Sequence, residues 1–184
     1  MELSSIKSNR WNNAAKYGLL LGLIPSAYLY LSHLLINLNL SGTFAFLLGL
    51  ALWIAKFIGC IALMKHVMTA FAGANTEATK SDIFKLGVLM ALFSAFVFAV
   101  VTVADQVYIF PEYYQNMYAA VISEYSKVLQ PQQVDELKAV IVDAPKYSFI
   151  GTFIYCFIYG TILSFILSRT ILPKNHNNCK TEDQ

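Results

Sequence analysis

From Tyr17 to Ala55 the chain carries no Asp, Glu, Lys or Arg. That run of roughly 40 residues is about twice the 20 that cross the hydrocarbon core of a bilayer once, so it predicts two membrane spans. The first covers residues 17–38 and contains Pro25, whose missing N–H predicts a kink that neighbouring helices can accommodate. Asn37, Asn39, Ser41 and Gly42 form a turn too short to hold a domain. The second span therefore returns beside the first as an antiparallel partner over residues 43–64. A polar stretch containing Lys65, His66, Gly73, Asn75, Glu77, Lys80, Ser81 and Asp82 predicts a loop. A third span follows over residues 84–107, its charge-free centre from Leu86 to Ala104 just long enough to cross. The fourth covers residues 147–170 and is stopped by Pro173, and the remaining residues 173–184 read as a polar, disordered tail.

The pattern changes between spans three and four, over residues 108–146. A loop of that length carries structure of its own, and Pro111 and Pro131 stand where helices begin. After Pro111, apolar and aromatic side chains recur at spacings of three and four: Tyr114, Met117, Tyr118, Val121, Tyr125 and Val128. Glu112, Gln115, Asn116, Ser123 and Lys127 fall on the other side, which predicts an amphipathic helix with Tyr114, Met117, Tyr118, Val121 and Tyr125 as a candidate outer interaction face. A shorter helix follows from Gln132 to Val142, with Val134, Leu137 and Ile141 on one face.

Composition agrees with this pattern: 57% of the 184 residues are hydrophobic and 13% are charged, which argues against a soluble globular class. Lys7, Arg10 and Lys16 precede span one, Lys65, Lys80 and Lys85 lie between spans two and three, and Arg169, Lys174 and Lys180 end the chain. The turn between spans one and two has none, and residues 108–146 spread Lys127, Lys138 and Lys146 thinly. The positive-inside rule then puts both termini, including segment 1–16, in the cytoplasm and residues 108–146 outside. The apolar stretch after Lys16 is too long for a signal peptide and reads as a retained span. The scattered cations form no basic stripe, which excludes nucleic-acid binding.

Little in the chain suggests catalysis. Cys60, Cys156 and Cys179 form no CxxC pair, and no GxSxG, HExxH, Walker or Rossmann pattern occurs, so we expect no enzyme activity, metal or cofactor. His33 has no second His and no carboxylate at helical spacing, which predicts a hydrogen-bonded packing role. Lys56 is the one basic residue deep in a span. An ammonium there costs about 3 kcal/mol and should face the bundle or water. It either serves an anion, a lipid headgroup or a proton, or it snorkels toward the inner headgroups, the reading that the sequence favours. Asp105 is an unsuitable partner, since helical rise separates the two depths by about 18 Å; an outer-interface role, bonded to the start of the loop, suits it better. Ser26, Tyr28, Ser94 and Tyr159 lie near the depth of Lys56 and make up, with it, a candidate intramembrane polar site.

Small residues recur every fourth position: Gly18 and Gly22; Ala45 and Gly49; Ala55 and Gly59; Ala91, Ala95 and Ala99; Gly160, Ser164 and Ser168. Such spacing lets membrane helices approach closely, within one chain or between copies. Tyr108, Phe110, Tyr113, Tyr114, Tyr147 and Phe149 gather at the outer ends of the spans, where an aromatic belt belongs.

The run Tyr108-Ile109-Phe110-Pro111-Glu112-Tyr113-Tyr114-Gln115, the amphipathic helix after it, the Gln-Gln-Val-Asp-Glu-Leu segment, Pro145 before the last span and Tyr17-Gly18 opening the first resemble domain-of-unknown-function family 4199. The likeness covers about residues 13–172. It implies a four-span bacterial inner-membrane protein and brings no activity or catalytic residue. The expectation is an all-α integral membrane protein: a four-helix transmembrane bundle with an extracytoplasmic amphipathic segment between helices three and four. Its role would be structural, scaffolding or interaction, or else that of a small transporter or channel component acting as an oligomer. The bilayer, a second copy or another membrane protein are the partners expected.

Overall fold

A computed structural model describes residues 2–38, 42–75 and 78–171, and every secondary-structure element among them is helical. Four helices are long and apolar enough to cross a membrane, which suggests a membrane protein. They are α1 (Glu2–Asn37), α2 (Gly42–Ala74), α3 (Lys80–Ala104, continued by a π-helical turn, Asp105–Ile109) and α6 (Ala144–Thr170). Two shorter helices, α4 (Pro111–Tyr125) and α5 (Pro131–Val142), connect the π turn to α6. Both begin at a proline, and Pro145 lies in the first turn of α6, where a missing N–H costs nothing.

Several helices run past the bounds expected of the spans. The polar stretch after Met64 is mostly helical: α2 runs on to Ala74 and α3 begins at Lys80, so Lys65, His66, Gly73, Lys80, Ser81 and Asp82 are not loop residues, and α6 begins at Ala144. Likewise α1 begins at Glu2, well before Tyr17. The reason is physical. Hydropathy marks where a helix leaves the hydrocarbon, whereas a helix continues as long as its backbone bonds and packing favour it. At 1.5 Å per residue α2 is about 50 Å long against a core of about 30 Å. The tail from 173 onward and most of the turn at 39–41 lie outside the described residues.

Helix α3 is the centre of the bundle, packed along α1 on one side and α6 on the other. Small residues make both approaches possible. A Cβ added at Gly18 would lie 2.7 Å from Phe93 Cβ, and one at Gly22 would lie 2.8 Å from Val97 Cβ. Across the other interface Gly160 faces Ala91, Gly87 faces Ser164, and Ser164 Oγ donates to the Phe84 carbonyl at 3.0 Å. Ala91, Ala95, Ala99, Ser164 and Ser168 are buried there. The small residues of α2 behave differently: nothing stands within 4 Å of a Cβ at Gly49, and Ala55 is exposed. Helix α2 is packed mainly through its last turns, where Met64, Val67, Met68, Phe71 and Ala72 join Ala14, Ile83, Leu86, Met90 and Leu167 in the core.

At this same end Thr79 caps α3. The Asp82 N–H donates to Thr79 Oγ1 at 3.2 Å, the Thr79 N–H and hydroxyl both donate to Asp82 Oδ2, and Arg10 Nη1 donates to Asp82 Oδ1 at 2.9 Å. One carboxylate thus closes a capping box and ties α1 to α3. Asp82→Ala should cost about 1–2 kcal/mol, for the cap and for a half-buried Arg10 left unpaired. Denaturant unfolding in detergent measures it, and an unchanged midpoint would show that neither interaction matters.

Candidate functional site

The opposite end of the bundle holds a buried polar cluster. A π turn accommodates one more residue per hydrogen-bonded ring than an α turn, and here the Phe110 N–H donates to the Asp105 carbonyl at 2.9 Å. Asp105 sits at the start of this turn with no exposed surface. His33 of α1, 6% exposed, is hydrogen-bonded through Nε2 to Asp105 Oδ2 at 2.9 Å. The Tyr114 hydroxyl of α4 donates to the same oxygen at 2.7 Å. Phe110 stacks on the His33 ring at 4.4 Å between centroids, and Tyr113 and Tyr114 meet it edge-on. Oδ1 of Asp105 is buried without a hydrogen-bond partner among the described residues. Burial, and then the bond to Asp105, raise the Tyr114 phenol above its ordinary range, so it stays a neutral donor at physiological pH.

No spacing rule pairs His33 with Asp105, because 72 residues and two helices separate them. Depth could have found them: His33 lies five residues before the expected outer end of span one, Asp105 two before that of span three, so helical rise sets them about 5 Å apart in height. Asp105 is bonded to the start of the loop, through Tyr114, and not to Lys56. Half of the outer aromatic cluster is likewise inward work: Phe110, Tyr113 and Tyr114 surround His33, whereas Tyr108 and Tyr147 are exposed.

On α4, the candidate interaction face divides. Tyr114 and Tyr118 are half-buried, Tyr114 serving as the anchor just described, while Met117, Val121 and Tyr125 are exposed. No residue of α4 or α5 is fully buried.

Midway along the bundle, all four long helices border one cavity of about 160 Å³. Lys56, Ser94 and Tyr159 line it, each from a different helix. The Tyr28 ring lies 4.5 Å from Lys56 Nζ and the Phe57 ring 5.0 Å, so the ammonium rests against two aromatic faces. Ser26 does not join them: it is buried and donates back to the Gly22 carbonyl at 2.8 Å, within its own helix. The thiols of Cys60 and Cys156, which sequence patterns left aside, line the same cavity within electrostatic reach of Lys56. Among the described residues no three His, Cys, Asp or Glu side chains are grouped to hold a metal ion.

No curated protein and no solved structure gives a significant match to this chain. A family described as proteins of unknown function, DUF4199, matches residues 16–170, and the chain belongs to it.

Proposed function

We propose that this chain is a non-enzymatic, four-span protein of a bacterial inner membrane, with both termini cytoplasmic, whose bundle holds the α4–α5 hairpin at the outer surface for interaction with a partner. One observation carries the reading. The hairpin buries none of its residues fully, is tethered through Tyr114 to a buried carboxylate, and leaves Met117, Val121, Tyr125, Val128, Val140 and Val142 exposed. A fixed amphipathic element with an uncovered apolar face fits a surface made to meet lipid headgroups or another protein. The spread of Lys and Arg supports the orientation.

Copurification from native membranes tests the interaction. We expect a partner, or a second copy, to be recovered with the wild-type chain and lost with Met117→Glu/Tyr125→Glu, while Lys56→Met retains it. Equal recovery with the glutamate variant would overturn the role of the hairpin. Labelling of Glu124→Cys, in a chain whose own cysteines are replaced, should occur from the periplasmic side; labelling from the cytoplasm alone would overturn the orientation. A second reading, a transporter component acting as an oligomer, draws on the cavity at the junction of the four helices and predicts that Lys56→Met alters solute flux in liposomes.

A further inference from the structure

We infer that the cavity around Lys56 is a binding site for the carboxylate head of a long-chain, singly charged amphiphile, taken laterally from the bilayer between α2 and α6. The inference rests on reading the four long helices as spans and is independent of what the outer hairpin binds. Its chemistry comes from the lining. Lys56 makes no hydrogen bond or ion pair among the described residues, and its ammonium rests against the Tyr28 and Phe57 rings. Ser94 and Tyr159 line the same space. The other lining side chains, such as Trp53, Phe57 and Leu163, are mostly apolar or aromatic. A lone ammonium beside polar lining residues in a low-dielectric setting calls for an anion, and charge balance calls for one negative charge. A phosphate dianion would bring a second charge with nothing to meet it, and the site lacks the arginine forks that favour phosphate.

Size and access give the rest. A cavity of about 160 Å³ resembles those that take one benzene-sized group, room for a carboxylate and its first few methylenes. The remaining chain must lie outside. Trp53 of α2 and Tyr155 of α6 border the cavity and are 46% and 66% exposed, which marks the opening toward the side of the bundle. Helix α2 is loosely held here, since its buried residues all lie from Met64 onward. A methylene chain leaving by that route would stay among lipid tails.

The test is photolabelling of the purified full-length chain in nanodiscs with a diazirine analogue of palmitate. We expect saturable labelling of peptides from α2 or α6. Lys56→Met should weaken apparent affinity at least tenfold, and Lys56→Arg should restore most of it. Ser94→Leu, which fills the cavity and leaves the charge in place, should also reduce labelling, so the result does not depend on one variant. Unlabelled palmitate should compete, whereas methyl palmitate and sodium acetate at the same concentration should not. Equal labelling of wild type and Lys56→Met, or equal competition by the ester, would overturn the site. Equal competition by acetate would overturn the amphiphile in favour of a soluble carboxylate. Extraction by alkaline carbonate would instead overturn the membrane-spanning reading, so the two failures are distinguishable.

Discussion

Gly160→Leu should lower the stability of the bundle by about 3 kcal/mol, the upper part of the range for overpacking, while Gly151→Ala on the same helix should raise it. The two positions share a helix and differ in what faces them. Where a helical glycine faces open space, alanine gains about 1 kcal/mol from reduced backbone entropy in the unfolded chain. Nothing lies within 4 Å of a Cβ at Gly151. At Gly160 the new Cβ would lie 2.5 Å from Ala91 Cβ and 3.3 Å from Ala91 Cα. The obstacle is a backbone and a methyl group that cannot rotate away, so α3 and α6 must separate. Separation loses the dispersion contacts that hold helices together where lipid competes for apolar surface. Even Gly160→Ala should destabilise, the overlap outweighing the propensity gain. Adding Ala91→Gly should return much of the loss, since the two residues are in contact and their effects should not add. Thermal unfolding in detergent reads all four variants. A stabilising Gly160→Ala would mean that the close approach of α3 and α6 is not required.

That interface also shows how far the sequence speaks for the fold. Small residues at four-residue spacing announce that some helices come close, and on α1, α3 and α6 they do. The same spacing on α2 meets no tight neighbour at Gly49, because spacing states what a helix permits and not what faces it. Hydropathy located the apolar stretches for the same one-dimensional reason: every residue in lipid obeys one solvent. It could not tell that α2 continues past Lys65, since helix continuity depends on packing of Val67, Met68 and Phe71 against other chain segments. Depth along a span proved the more useful coordinate for polar groups. It grouped Lys56 with Ser94 and Tyr159, which line one cavity, and with Ser26, which turns back on its own helix. Applied to His33 it would have reached Asp105 as well. What no depth argument supplies is the π turn, a local adjustment at the boundary between α3 and α4 that sets Asp105 against α1.

Breaking that contact should have the largest effect of any single polar change. His33→Leu should cost about 3 kcal/mol, because Asp105 would keep its burial and lose one of its two hydrogen-bond partners. Asp105→Leu should cost a similar amount by stranding the imidazole and the Tyr114 hydroxyl together. The informative variant is the double one. Replacing both His33 and Asp105 by leucine removes the desolvated groups in one step, and hydrogen-bonded buried partners exchanged together for apolar side chains are often neutral in stability. The double variant should therefore be more stable than either single one. Costs that simply add would mean the pair is not a coupled unit. Tyr114→Phe separates the second function of the carboxylate, since it leaves the His33–Asp105 pair intact and removes only the tether to α4. It should cost about 1–3 kcal/mol by leaving a buried acceptor short of a partner, and that cost should fall locally. Hydrogen exchange should quicken across Pro111–Tyr125 while the core of α3 stays protected, because α4 has no fully buried residue to hold it once Tyr114 lets go. Uniformly faster exchange in α3 and α4 would show instead that the hairpin and the bundle unfold as one, and that Asp105 braces the whole outer end.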